Sequence, residues 1–385
     1  MRIAYCASVR LPSERAHGHQ IAQVCDALVR LGHDVILFAP RRRNLIREDY
    51  WTYYGAERGV HPQYLEAFDN NQFPVPLGLP GLYLANASMR HALARALDGK
   101  CFDLLYTRTP VLLPVLLGRD VPVVLELHQL PRFGRKTFVQ QCNACSVVSC
   151  LTSPMRDTLV VWGVDESKLI VEPDAVDLDL FAQQGDGGAW REAHSIPLDV
   201  PLVSYAGQLQ SMGLSKGVEV LVAALDELAR KGQNFQAVIA GGPDAEARRM
   251  GAMLPSSLRS KVRFLGNIPH REVPSLLRTS DVLVYPAPAS QHPYYLRDTS
   301  PLKLFEYMAA ERPIVCADLP PLHDIVSEQD VLFVPPGNAK KLVQAMANVI
   351  ADPEGALKRV EHARQLVKRH TWKKRMERIL SRVKT

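Results

Sequence analysis

Long apolar runs are missing from this sequence. Its longest stretches, such as residues 111–117 and 121–127, contain or adjoin proline. They stop well short of the roughly 20 residues a membrane helix needs, so no span is expected. The opening Met1-Arg2-Ile3-Ala4-Tyr5-Cys6 leads straight into a strand-like run, without the basic region, apolar segment and cleavage site of a leader. The expected compartment is the cytosol. Cysteine is scarce: seven residues, an odd number, argue against a disulfide framework and suit a reducing compartment. Cys142, Cys145 and Cys150 invite a zinc reading, yet no second Cys or Cys/His pair stands at metal-site spacing, and the three fit a helix end and a buried strand. Internal repeats and low-complexity tracts are also lacking.

What is present is enough apolar material for sizeable cores: 47% of 385 residues, a length that favours two domains over one. Residues 3–8 read as a buried strand. Ile21, Val24, Cys25, Leu28 and Leu31 then recur at helical spacing, Gly32 closes that helix, and residues 34–39 form a second strand. This is a strand-helix-strand unit of parallel type. The rhythm resumes at residues 103–106, 122–127, 146–151 and 168–171, which predicts a doubly wound sheet. An excursion over residues 41–80, carrying Arg41-Arg42-Arg43, several aromatics and Pro74-Val75-Pro76, interrupts it and reads as a functional insertion. After a break at residues 185–188 the alternation restarts at 201–206, 237–240, 262–265, 281–285, 313–316 and 331–334. Two such sheets in series would place the carboxyl ends of their strands around one cleft, where ligands of these folds bind.

The candidate motifs stand just after strands. Ser204-Tyr205-Ala206-Gly207-Gln208-Leu209 runs into a turn, and Lys216-Gly217 opens a helix from residue 218 to 231. Free N–H groups and partial positive charge at a helix start suit a diphosphate, and so does a lysine beside them. Further on, Asp298-Thr299-Ser300-Pro301-Leu302-Lys303-Leu304-Phe305-Glu306 offers Ser300 and Pro301 as an N-cap and first-turn pair. There Asp298 would lie on the loop before the helix within reach of a sugar, and Glu306 would accept from ribose hydroxyls. Spacing alone leaves open a structural use, with Asp298 capping a loop and Glu306 paired to a nearby base.

Taken together these segments resemble the family 4 retaining glycosyltransferases. That signature sets two acidic residues eight positions apart before Ala-x-Gly-x-Pro-Val-Val; here Asp298 and Glu306 precede Ala309-Ala310-Glu311-Arg312-Pro313-Ile314-Val315. Gly207, Gln208, Lys216 and Gly217 match the Gly-Arg-x(n)-Lys-Gly motif. Ala16-His17-Gly18-His19-Gln20 looks like the glycine loop beside the donor phosphates, Glu126-Leu127-His128 like the strand end bearing the active-site histidine, and Pro173-Asp174-Ala175-Val176-Asp177 like the segment at the domain junction. The matches run in order to Thr371-Trp372. The resemblance implies a GT-B fold of two doubly wound Rossmann-like domains, at residues 1–178 on the acceptor side and 179–365 on the nucleotide-sugar side, with a basic helix at 366–385 packing back on the first. It also implies metal-independent transfer of a hexose-type sugar from a nucleoside-diphosphate sugar to a hydroxyl, with retention and no cofactor. Uridine diphosphate is the first carrier expected, guanosine diphosphate the second. Catalytic roles fall to His128, Asp298 and Lys216. Donor contacts fall to Gly18, Gln208, Lys216, Asp298, Ser300, Leu302, Lys303 and Glu306.

Departures from the pattern set the alternatives. Asp298 is one methylene shorter than the usual glutamate, Gln208 replaces an arginine that meets the diphosphate, a longer loop over residues 209–215 precedes Lys216, and Glu311 stands where glycine is frequent. These substitutions motivate a second reading, a catalytically silent subunit that binds nucleotide-sugar and a partner. An epimerase or phosphorylase on the same fold is a third, the latter lacking an identifiable phosphate or pyridoxal-phosphate site. Asp177-Leu178-Asp179 reads as loop capping. Residues 356–385 carry 11 Lys and Arg against two acidic residues, more than the whole chain's net +6. Without interleaved aromatics beyond Trp372 this tail does not suit nucleic acid. It suits a solvated helix or, with Trp51, Tyr53 and Tyr54 of the excursion, peripheral contact with an anionic membrane.

Overall fold

The computed structural model describes residues 1–56, 58–70, 77–182, 187–211 and 213–383. Pro74-Val75-Pro76 and residues 185 and 186 lie outside them. The chain divides into two compact units. The first comprises residues 1–174, 297–299 and 372–385; the second comprises residues 175–296 and 300–371.

The first unit is built on seven strands: β1 Arg2–Cys6, β2 Asp34–Pro40, β3 Val60–Leu65, β4 Leu104–Thr107, β5 Val123–Leu127, β6 Val147–Cys150 and β7 Leu169–Val171. All pair in parallel, in the order β3-β2-β1-β4-β5-β6-β7. Parallel sheets of this kind are covered on both faces, which is why the central strands read as apolar runs. Ile3, Leu37, Leu105, Leu125 and Val148 are all buried. The helix Ala16–Arg30 returns β1 to β2, and Gly32 takes the left-handed φ of 82° that ends it. Cys142, Cys145 and Cys150 lie in the core beneath helix Arg135–Ala144 and in β6. Their thiols are pushed upward in pKa, first by burial.

The second unit carries β8 Leu202–Ala206, a two-residue hairpin of β9 Gln210–Ser211 and β10 Leu214–Ser215, then β11 Gln236–Ala240, β12 Val262–Gly266, β13 Val282–Tyr285, β14 Ile314–Ala317 and β15 Leu332–Val334. Its six-stranded parallel sheet runs β12-β11-β8-β13-β14-β15. Both sheets therefore share one winding, with the switch in strand order at β1/β4 and at β8/β13. Ligands of doubly wound sheets bind outside the carboxyl ends of the strands at that switch.

Three expectations are corrected here. The excursion at 41–80 contains β3 and a short helix, Tyr50–Tyr54. The loop before Lys216 is the β9-β10 hairpin. The helix expected to be capped by Ser300 begins at Leu302 instead, with Pro301 in an extended backbone (φ −86°, ψ 116°) and no side-chain cap. A proline held extended defers the first helical turn by one residue. Among the described residues no helix is long and apolar enough to cross a membrane.

Candidate functional site

In the second unit the carboxyl end of β8 runs through Gly207 and Gln208. Gly207 has a φ of 147°, and a Cβ there would lie 2.8 Å from Lys303 Cε, so the bare backbone lets the lysine pass. Lys303, in the first turn of helix Leu302–Ala309, donates to Tyr205 Oη at 2.6 Å. Its ammonium lies 4.2 Å from the centre of the Tyr205 ring. The protein packed around Lys303, and then the Lys216 charge, hold its pKa well below the ordinary lysine range, with Glu306 opposing. Lys216 in turn donates to Tyr294 Oη at 2.6 Å. It precedes Gly217, whose φ of 80° and close approach to the Ala287 backbone, 2.6 Å from where a Cβ would lie, admit only glycine.

Two lysines thus share one neighbourhood at the start of a helix whose first N–H groups, at Leu302 and Lys303, have no side-chain cap. That arrangement suits a diphosphate. Glu306, one turn further along, accepts from His270 Nε2 at 3.1 Å. Desolvation pulls the His270 pKa down, but the Glu306 bond and charge outweigh it and the net is a rise. Gln208 engages through its backbone, its carbonyl accepting from Tyr205 Oη at 2.5 Å. Asp177 caps its own turn, accepting from Asp179 N at 3.0 Å.

Asp298 ends a π-helical turn, Tyr294–Asp298, and is counted with the first unit. It is buried, and Arg297 grips it through Nε at 2.6 Å and Nη2 at 3.0 Å. The Arg297 carbonyl accepts from Thr152 Oγ1 at 2.5 Å. This carboxylate is therefore already paired with a guanidinium, where the sequence suggests an open loop.

In the first unit, Gly18 lies in the first turn of Ala16–Arg30, a helix with no side-chain cap and no acidic residue in that turn. Tyr54 packs over it, accepting from Ser13 N at 2.7 Å, and a Cβ on Gly18 would collide with the Tyr54 hydroxyl. Beside it His17 is held near a pKa of about 4, by burial first and then by Arg108, Arg15, His128 and Arg10. His128 follows β5, and its Nε2 lies 2.6 Å from Glu126 Oε1. Its pKa is also lowered to about 4, by burial and Arg108, with Glu126 opposing. Glu126 itself is fully buried and receives Gln20 Nε2 at 2.5 Å, the Tyr106 hydroxyl and Arg375 Nη1 at 3.0 Å.

Gln20, Glu126 and Tyr205 stand inside the motifs without a role of their own, and Arg375, His270 and Tyr294 were not singled out. One signal was available: a lone glutamate inside the apolar run Val-Val-Leu-Glu-Leu must be paired if the strand is buried. The aromatics of the excursion serve locally. Tyr50 is buried, and Trp51 Nε1 donates to the Val60 carbonyl at 3.0 Å.

Two family models match the chain, one in each half: Glycosyltransferase Family 4 over residues 18–180 and Glycosyl transferases group 1 over residues 187–366. Among curated relatives, the alpha-D-kanosaminyltransferase of Streptomyces kanamyceticus is 28% identical over 173 residues, 44% of this chain and 41% of that protein. The phosphatidyl-myo-inositol mannosyltransferase of Propionibacterium freudenreichii is 25% identical over 89% of this chain and 84% of its own. Across the first of these relatives the chain spans about half their length. Among solved structures, sucrose-phosphate synthase from Thermosynechococcus elongatus aligns with a TM-score of 0.75 at 20% identity, covering 99% of this chain and 98% of that one. Anabaena HepE in complex with UDP-glucose aligns with a TM-score of 0.72 at 17% identity, covering 99% of each chain. With the two matching sheets and the motifs after their strands, these findings establish that the chain belongs to the group 1, family 4 glycosyltransferases of GT-B fold.

Proposed function

We propose that the protein transfers a hexosyl group from a nucleoside-diphosphate sugar to a hydroxyl acceptor with retention of anomeric configuration. The observation that carries this reading is the Lys216–Lys303 pair at the start of helix Leu302–Ala309, with Glu306 one turn along. When the bond from the anomeric carbon to the phosphate oxygen breaks, its electron pair leaves on the diphosphate. The acceptor oxygen bonds to the same face of the sugar, and its proton ends on the departing phosphate. Cations and helix N–H groups stabilise that developing charge, the larger share of such catalysis. With a bound diphosphate favouring its protonated form, Lys303 supplies the charge that Gln208 does not. Glu306 takes the ribose hydroxyls, Ser300 and Leu302 contribute backbone to the phosphates, and His128 accepts from a sugar or acceptor hydroxyl. Asp298 orients the donor sugar only by loosening its grip on Arg297. The donor is a UDP-sugar before a GDP-sugar, in keeping with the UDP-glucose complex of the Anabaena structure.

Incubating the protein with such donors and hydroxyl acceptors, and following the anomeric signals by proton NMR, tests the reading. Transfer with retention is expected, and Lys216→Ala and Glu306→Ala each lose most of it while keeping the fold. Near-normal rates in either variant at saturating acceptor contradict the assignment. Donor binding with neither transfer nor hydrolysis favours a silent nucleotide-sugar-binding subunit.

We also propose that the protein works from the cytosol at the membrane surface on a lipid-linked or polyanionic acceptor. The first turns of helix Gly78–Leu97 expose Leu79, Leu82, Tyr83 and Leu84, with Leu77 beside them. Exposed Arg41, Arg43 and Arg47 belong to a segment that meets the same neighbourhood through Asp69, which accepts from Arg43 N at 2.7 Å. Apolar side chains beside basic ones suit an anionic interface.

A further inference from the structure

The proton on His128 is assigned by a chain of groups that can each bond in only one sense. Arg108 has donors alone, so the end of the Gln20 amide that meets Arg108 Nη1 at 2.5 Å is its oxygen. The other end of that amide is therefore NH2, and it is this end that reaches Glu126 Oε1 at 2.5 Å. Arg375, fully buried, donates to Glu126 Oε2 at 3.0 Å and also to the carbonyls of Pro173 at 2.7 Å and Glu172 at 3.2 Å. With both oxygens receiving donors and a guanidinium at its side, Glu126 is an ionised carboxylate that only accepts. The His128 nitrogen 2.6 Å from Oε1 must then be the one that donates.

We infer that Gln20, Glu126 and Arg375 are positioning residues that hold His128 with its proton on Nε2 and leave Nδ1 as the acceptor nitrogen at the end of β5. Arg375 belongs to helix Trp372–Leu380, the last of the chain. A residue far along the sequence thus decides what the histidine after β5 can do. The groups facing His128 and Glu126 are His17 and Gln20 from helix Ala16–Arg30, Tyr5 in β1, Tyr106 and Arg108 at the end of β4, Asp174 after β7, and Arg375. The proton placement stands on this geometry alone. Its consequence for turnover rests on the sugar-transfer reading.

The test is two-bond proton–nitrogen NMR of the full chain labelled with 15N-histidine, the His128 ring assigned by its loss in His128→Asn. A protonated and a bare ring nitrogen resonate far apart, so the tautomer is read directly. Between pH 6 and 8 the ring is expected neutral with the proton on Nε2. Glu126→Gln, whose oxygen Arg375 would hold so that its NH2 faces the ring, should bring in the Nδ1-protonated form, whereas Arg375→Lys should retain the wild-type pattern. Arg378→Gln is the structural control: Arg378 sits on the same helix and grips Glu172 at 2.7 Å through two nitrogens.

In the transfer assay, Glu126→Gln and Arg375→Gln should lower kcat at least tenfold with donor KM within threefold, and Arg378→Gln should leave kcat within twofold. A wild-type His128 protonated on Nδ1 overturns the inference, and so does an equal loss of kcat in Arg378→Gln and Arg375→Gln. If Glu126→Gln does not fold, the wild-type spectrum and the Arg375→Lys pattern decide. An Nε2 proton in a protein that transfers no sugar from any donor retires the functional reading and keeps the positioning. Transfer with the proton on Nδ1 does the reverse.

Discussion

Asp174 stands fully buried where β7 has just ended. Burial raises its pKa to about 7, against Arg375 and with Glu126 adding to the rise. In the unfolded chain the same carboxyl titrates near 3.8. Between those values the folded protein holds a proton that the unfolded chain has released, so this residue's contribution to stability is complete below pH 3.8 and is lost as pH rises through 7. Asp174→Asn lacks that loss. Urea unfolding at pH 4.5 and at pH 8 should show the asparagine variant gaining on wild type as pH rises, by about 3 kcal/mol. A difference that is flat with pH would contradict it. The placement of Lys216 and Glu306, the first before a helix and the second on one, was legible because each follows a strand. Glu126 and Arg375 were not, because the two are far apart in sequence, and an arginine in a tail with 11 basic residues at 356–385 looks solvated. Only the fold shows it with no exposed surface.

Helix Leu302–Ala309 ends at Ala310, and Glu311 follows with a φ of 57°. A left-handed residue just past a helix is where glycine is favoured, since a Cβ there meets the following carbonyl. The resemblance noted glycine at this position from pattern alone, and the backbone supplies the reason. Glu311→Gly should stabilise the second unit by about 0.5–1 kcal/mol, read as a higher urea midpoint with unchanged slope. A lower midpoint would show that the glutamate side chain contributes more than its backbone costs. Most strands were legible as apolar runs because parallel sheets bury both faces. β3 was not: it is an edge strand with His61, Pro62 and Gln63, so it carries neither the apolar run nor the alternation of a buried strand, and proline is tolerated only at such edges. The hairpin β9-β10 is too short to leave any period.

At the scale of the molecule, the tail had two expected uses, packing back on the first domain or meeting a membrane. Trp372, Met376 and Ile379, its apolar stripe, are buried against the first unit, and Arg375 and Arg378 are committed to Glu126 and Glu172. The stripe is therefore spent on folding, and the proposed membrane contact falls to the exposed start of helix Gly78–Leu97. Vesicles of anionic lipid at low salt, where screening is least, should sediment wild type, and the triple variant Leu79→Ser, Leu82→Ser, Tyr83→Ser should stay largely in solution. If wild type ignores anionic vesicles, the peripheral membrane proposal is withdrawn and the sugar-transfer reading stands unaffected. That reading is tested most directly by melting the protein against a panel of nucleotide-sugars with Lys216→Ala alongside. A donor at a hundred times its Kd stabilises the fold by about 2.7 kcal/mol, roughly 5–10 °C for domains of this size. The account predicts such a rise for one nucleoside-diphosphate hexose, a UDP-sugar first, with most of it lost in Lys216→Ala. A flat panel, or an equal rise in the variant, would contradict it.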